Sequence, residues 1–190
     1  MRKEDFKFQV IAGQLKGRTI TAPNLGQTRP PLTRIRRAIF DFLWPYLDNA
    51  SYLDLYSGTG SYLFEAVSRG AANGVGVELE PMLADSINSQ ALKFGVSGKL
   101  LCRREDVFNA IPELHNRGYK YDVIMIAPPQ YKGLIEKTLA KLKEYPVLKK
   151  NGLILCQHDT SETNKISFLG FEIKEQRKYG NTTFTVLNSN

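Results

Sequence analysis

The sequence predicts an α/β chain: a mostly parallel sheet covered by helices on both faces, ending in an antiparallel hairpin and preceded by a small hairpin and helix. Three observations carry this reading. From residue 51 to about residue 167, short strand-like runs alternate with helical ones, the rhythm of βαβ units. Those runs, YDVIMI above all, are too continuously apolar to leave one face in water. The last two runs, FEIKEQRKY and TTFTVLN, meet at Gly180-Asn181, a pair suited to a tight hairpin turn. Together these runs make a seven-stranded sheet.

The elements follow in order. FQVIA and LKGRTITA are β-prone runs joined at Gly13-Gln14, which predicts a hairpin. A break at Thr28-Arg29-Pro30-Pro31 comes next. LTRIRRAIFDFLWPYL then places Leu32, Ile35, Ile39, Phe42 and Leu43 close to helical spacing. SYLDLY opens the sheet, and a glycine turn leads to a helix over 61–69. GVGVEL is the second strand, followed by a helix from Pro81, a favoured first helical residue, to about Phe94. KLLCRR, YDVIMI and GLILCQ are the next strands, with helices expected over 107–117 and 132–144 and a short one near 161–167. Two parts are expected: a basic extension over residues 1–45 and a body over 46–190.

The chain has 190 residues, 42% hydrophobic and 24% charged, a size and balance that suit one folded domain. No apolar stretch approaches the roughly 18 residues of a membrane span, and MRKEDFKFQ lacks a signal-peptide core. Cys102 and Cys156 are far apart, and there are only two histidines, so no metal site is expected. The chain reads as a cytoplasmic monomer, or a plastid one if a leader has been removed. The net charge is +7, from 26 basic and 19 acidic residues. Residues 1–45 hold nine Lys or Arg against three acids, and so carry +6 of it. Arg34, Arg36 and Arg37 sit near a helix start, against the helix dipole. That placement points to a polyanionic partner at one edge; a solubilising surface is the alternative.

Chemistry concentrates in two loops. The first sheet strand ends in Asp54-Leu55-Tyr56-Ser57-Gly58-Thr59-Gly60-Ser61, directly before a helix. Small residues there let the backbone approach a ligand at the carboxyl ends of the strands. Leu63 stands where a dinucleotide fingerprint needs glycine, and no Gly-Lys-Ser/Thr follows to grip a triphosphate. Asp54 would repel a pyrophosphate and attract an ammonium or sulfonium. Glu78 closes the second strand, where an acid accepts ribose hydroxyls, and Asp106 follows the third, within reach of an adenine amino group. This pocket suits a cationic nucleoside, namely S-adenosylmethionine. The candidate cofactor set is Asp54, Ser57, Gly58, Thr59, Gly60, Glu78, Leu79, Asp106 and Val107.

The second loop is Ala127-Pro128-Pro129-Gln130-Tyr131, after the fourth sheet strand. Two prolines fix the backbone and remove two N–H donors, leaving carbonyls that only accept. Such a loop can hold an exocyclic amine with its lone pair aimed at a methyl donor; a plain rigid turn is the alternative. Ala127, Pro128, Pro129 and Tyr131 are the candidate catalytic positions.

With VIAGQLKGR, RPPLTRIRRAIFDFL, LDLYSGTGSYLFEAVSRGA, VELE, APPQYKGL and KYGNTTFTVL in view, the chain resembles, over nearly its full length, the ribosomal guanine-N2 methyltransferases that modify small-subunit RNA. The resemblance implies a Rossmann-like class I methyltransferase fold and S-adenosylmethionine as methyl donor. It also implies a small-subunit RNA or assembled 30S-type particle as partner, bound through Arg18, Arg29, Arg34, Arg36 and Arg37. The departure is at the chemical step, since amino-directed methyltransferases usually carry Asp or Asn before Pro-Pro and an aromatic directly after. Here Ala127 and Gln130 take those places and the aromatic moves to Tyr131. An adenine-N6 methyltransferase and an RNA-binding assembly factor with weakened catalysis are the rival readings.

Other residues read as structural. His115 and His158 suit surface or capping roles. Glu65 reads as an exposed helical acid, with a buried link to the basic N-terminal region as the alternative. Lys141, Lys143, Lys149 and Lys150 read as a solvated helix face, and both cysteines as small packed hydrophobes.

Overall fold

The computed structural model describes residues 4–26 and 32–188. Two short strands, β1 (Phe6–Gln9) and β2 (Thr19–Ala22), pair antiparallel. Their connection is longer than the turn expected at Gly13-Gln14 and spans residues 10–18. It closes on itself through the Val10 N–H to the Arg18 carbonyl and the Gly17 N–H to the Val10 carbonyl. Helix α1 (Thr33–Leu47) follows, buries Ile35, Ile39, Phe40, Leu43 and Leu47, and tolerates Pro45 in its last turns. Leu32, expected on that apolar face, lies just before the helix and is exposed.

The body alternates as predicted: β3 (Ser51–Asp54), α2 (Ser61–Ser68), β4 (Asn73–Glu78), α3 (Pro81–Lys93), β5 (Leu100–Arg104), α4 (Val107–Asn116), β6 (Tyr121–Ile126), α5 (Leu134–Glu144) and β7 (Leu148–Asp159). A single 3-10 turn, Thr160–Glu162, stands where a short helix was expected over 161–167. β8 (Glu172–Tyr179) and β9 (Thr182–Asn188) form the final hairpin. The sheet order is β5-β4-β3-β6-β7-β9-β8, parallel except where β9 pairs with β7 and β8. This is the seven-stranded, Rossmann-like arrangement the sequence predicts. The edge strand β8 carries several exposed charges, Glu172, Lys174, Arg177 and Lys178, which discourages pairing with another chain.

Alternate residues of each strand feed two cores. Tyr52 points to one face, packed by α1, α2, α3 and the N-terminal hairpin, while Leu53 and Leu55 point to the other, packed by α4 and α5. Helix α2 is buried on every side, which accounts for its apolar sequence. Its last turn receives the 10–18 loop: Ser68 Oγ accepts from the Leu15 N–H at 2.9 Å, and the Ser68 carbonyl accepts from the Gln14 N–H at 2.8 Å. Gly13 is pressed so close that a Cβ there would lie 1.8 Å from the Ser68 carbonyl oxygen, and its φ is +85°. Gly13→Ala should therefore lower the urea midpoint by the equivalent of more than about 1 kcal/mol. An unchanged midpoint would mean that the loop does not dock on α2.

Burial revises several side chains. His158 lies inside the β7–β9 pair, with Nε2 3.2 Å from Thr185 Oγ1 and Nδ1 2.9 Å from the Asp159 carbonyl, so it is not a surface residue. The four lysines do not share a helix face: Lys141 and Lys143 lie on α5, but Lys149 and Lys150 are on β7, where Lys149 pairs with Asp122 at 2.8 Å. Both cysteines are buried free thiols, as expected.

Candidate active site and basic groove

The connection after β3 leads to one side of the sheet and the connection after β6 to the other, so a crevice opens between their carboxyl ends. Register places Asp54 opposite Met125, and the Leu55 N–H donates to the Met125 carbonyl at 3.0 Å. The glycine turn and the Pro-Pro loop, 67 residues apart in sequence at Gly60 and Ala127, are thereby brought side by side.

In the glycine turn, Gly58 and Gly60 have φ of +51° and +79°, a region that favours glycine. Gly60 caps α2, and a Cβ there would meet Ile87 at 2.8 Å. On β4, a Cβ at Gly76 would lie 2.5 Å from Ser57 Oγ; the absence of a side chain lets the turn settle onto the sheet. Glu78 fixes the turn from the side, its two carboxylate oxygens accepting from the Gly58 N–H at 2.7 Å and the Glu80 N–H at 2.8 Å. Asp106 caps α4 by accepting from the Phe108 N–H at 2.7 Å. Leu79 is 68% exposed beside these acids, an apolar surface on which a planar ring can lie. Ser57, Thr59 and Val107 are buried beneath, so they shape the pocket more than they face it.

Asp54 is the unusual residue. It is fully buried, and neither carboxylate oxygen has a hydrogen-bond partner among the described residues. Burial, aided by the nearby Glu78 charge and opposed by the neighbouring Tyr56 backbone N–H, which does not reach hydrogen-bond geometry, raises its pKa from 3.8 to about 7. Its neighbour Tyr52 carries an unpartnered buried hydroxyl. An unpaired acid under a two-glycine turn is costly unless a cation completes it, so the residues present fit a ligand with an ammonium or sulfonium group.

Across the crevice Pro128 is buried, while Pro129, Gln130 and Tyr131 are exposed. They rim a shallow recess that Gln157 and Glu162 complete. Gln157 accepts a hydrogen bond from Tyr62 on α2, which ties the recess to the helix behind the glycine turn. The sequence reading missed Gln157 and Glu162, since neither stands in a motif and only the return of β7 beside β6 brings them in.

The basic N-terminal residues divide. Arg18, Arg34 and Arg37 are exposed; Arg29 lies outside the described residues. Arg36 corrects its expectation as an RNA contact, because it is 1% exposed. Its Nη2 donates to the Gln9 carbonyl at 2.5 Å, its guanidinium covers the Phe8 ring, and its Nε lies 3.8 Å from Glu65. Glu65 is itself fully buried and makes the alternative link named above. It accepts from the Ile11 and Ala12 N–H groups at 3.0 and 3.1 Å and from Arg69 Nε at 2.7 Å. Arg69 also reaches Asp41 at 3.1 Å. A helical acid and a helical arginine thus form an internal clasp, and the cations left outside gather differently. Lys7, Lys16 and Arg37 line one groove, with Phe8, Thr19 and Thr33. In the sequence, Lys7 and Lys16 stand out only as part of the basic N-terminal charge.

The sequence model of a family described as Conserved hypothetical protein 95 matches residues 8–188. The chain belongs to that family. Among its relatives, Ribosomal RNA small subunit methyltransferase D of Haemophilus influenzae is 31% identical over 153 residues, 80% of this chain and 78% of that protein. The protein of the same name from Escherichia coli K12 is 28% identical over 155 residues, 80% of this chain and 75% of its own length. Among solved structures, a hypothetical protein of Thermus thermophilus superposes with a TM-score of 0.81 at 23% identity, covering 96% of this chain and 99% of that one. An RNA methyltransferase of Salinibacter ruber in complex with S-adenosyl-L-homocysteine gives 0.65 at 19% identity, covering 85% and 95%. The fold of this Conserved hypothetical protein 95 member is therefore the methyltransferase fold expected from sequence. Among the described residues, no helix is long and apolar enough to cross a membrane.

Proposed function

We propose that this protein transfers a methyl group from S-adenosylmethionine to the exocyclic N2 amine of a guanine in small-subunit ribosomal RNA, by direct in-line displacement. The observation that carries the reading is the unpartnered buried carboxylate of Asp54 under the glycine turn, beside a Pro-Pro loop at the same crevice. The names borne by its relatives, and the S-adenosyl-L-homocysteine held by a structure of the same fold, agree with it.

When bound, S-adenosylmethionine supplies an electrophilic methyl group on a sulfonium. Asp54 faces its cationic end, Glu78 its ribose and Asp106 its adenine, with Leu79 against the ring and Gly58 and Gly60 keeping the wall thin. Across the crevice, the target base is turned out of its stack over Pro128-Pro129. The loop carbonyls accept the amine hydrogens, and Tyr131 stacks on the base. Ala127 offers no side-chain acceptor, so orientation of the amine rests on the backbone.

The 1–45 segment serves as the RNA-facing part and 46–190 as the transfer body. Phosphates lie along Lys7, Lys16 and Arg37, and Arg18 and Arg34 offer further exposed cations. Replacing Lys7, Lys16 and Arg37 by Ala should flatten the log K against log [salt] slope by about 2, at roughly 0.7 per single-stranded phosphate contact. An unaltered slope would remove the groove from the RNA path.

The deciding experiment offers tritiated-methyl S-adenosylmethionine with unmodified small subunits and with naked small-subunit RNA, then maps the labelled base. Label on guanine N2 is expected. Label on an adenine would establish the adenine reading, and none on either substrate would favour an assembly factor.

A further inference from the structure

We propose that Glu162 is a positioning residue for the reactive loop, holding Tyr131 in a left-handed backbone conformation that sets its ring at the rim of the recess. The inference rests on the reading of that recess given above.

Tyr131 has φ of +60°, a conformation that a bulky side chain adopts only under constraint. Core packing does not supply the constraint, because the residue is 67% exposed. The constraint visible is polar: the Tyr131 N–H donates to Glu162 Oε1 at 3.1 Å. Glu162 is well placed to hold still. It ends the 3-10 turn after β7, which Asp159 caps by accepting from the Ser161 N–H at 2.8 Å and the Ser161 hydroxyl at 2.7 Å. The same turn is pinned to the far hairpin: the Thr160 N–H donates to the Asn181 carbonyl at 2.9 Å, and Thr160 Oγ1 to the Gly180 carbonyl at 3.1 Å. The Asp159 carboxyl is held below its usual range chiefly by Ser161, which marks the turn as well fixed.

In this chain the aromatic residue stands one place later than directly after Pro-Pro. A left-handed residue redirects the chain sharply, and at Tyr131 it keeps the displaced ring at the recess. An exposed, orientable ring at a recess edge is what a flat, unstacked base meets by stacking.

The test compares the full chain with Glu162→Gln and Glu162→Ala. In Glu162→Ala, kcat for small subunits should fall about tenfold, as expected for loss of ground-state orientation, while KM for S-adenosylmethionine stays unchanged. Glu162→Gln keeps an oxygen acceptor and should restore most of kcat. Independently of activity, the Tyr131 amide resonance should move in Glu162→Ala and stay near its place in Glu162→Gln. Equal loss of kcat in both variants would assign Glu162 a charge contact to the base and overturn the positioning role, as would full kcat or an unmoved amide in Glu162→Ala. Should the unmutated protein label no guanine, the transfer reading fails by itself, and the amide shift still decides whether Glu162 holds the loop.

Discussion

Asp54→Asn should weaken S-adenosylmethionine binding by about 100-fold, the scale of losing one partner of a buried charge pair, while making the ligand-free protein more stable at pH 8. Both effects come from one carboxylate that is buried without a hydrogen-bond partner among the described residues. Its pKa rises from 3.8 unfolded to about 7 folded, so the folded state binds the proton more tightly. The sign follows from that. Asp54 contributes fully to stability below pH 3.8, and the contribution is lost as pH rises to about 7. Three pH units correspond to roughly 4 kcal/mol. Denaturation of the ligand-free protein should thus show stability falling between pH 4 and 7, and Asp54→Asn should flatten this fall. Calorimetry should show cofactor affinity rising through pH 7 in the unmutated protein and remaining flat in the variant. Equal affinity in the two proteins would separate Asp54 from the cofactor.

Glu65→Ala should destabilise the fold by about 3–5 kcal/mol, because it strands two buried cations. Arg69 would lose its 2.7 Å partner and Arg36 the charge facing it, with the Ile11 and Ala12 amides left unpaired. Burial already lowers the Arg36 pKa, and Glu65 is the largest influence opposing that shift. For a chain of this size the melting temperature should drop by roughly 10 °C, and exchange protection at Ile11 and Ala12 should vanish. A variant that melts with the original protein would show that the clasp is dispensable.

The body of the fold was legible because its signals are local. Glycines at 58 and 60, Pro81 and the apolar runs each act within a few residues, and the elements stand within a few positions of where they were expected. What escaped was decided by partners far along the chain. Nothing near Arg36 distinguishes it from Arg34 and Arg37; its burial depends on Glu65, which sequence reading left open between surface and interior. The candidate cofactor positions Asp54, Gly58, Gly60 and Glu78 were legible as a strand end and a glycine turn, but the lack of a hydrogen-bond partner for Asp54 among the described residues was not. Glu162 was invisible, since its meeting with Tyr131 requires β7 to return beside β6 and the turn beyond it to be pinned by the last hairpin. The Arg29 expectation lies outside the described residues.

The clasp also has a bearing on synthesis. Arg36 and the 10–18 loop are synthesised before Glu65 and Arg69, and the loop's hydrogen bonds to α2 span 53 to 56 residues. At roughly 5–20 residues per second, the early segment waits several seconds without its counter-charge. A four-residue-stranded hairpin is marginal by itself in water, so this segment has little reason to settle first. Its ordering is timed by the synthesis of α2, the same helix whose other end is capped by Gly60 of the glycine turn. The earliest part of the chain to be made is thus locked only once α2 is available, and it locks onto a helix that starts at the glycine turn.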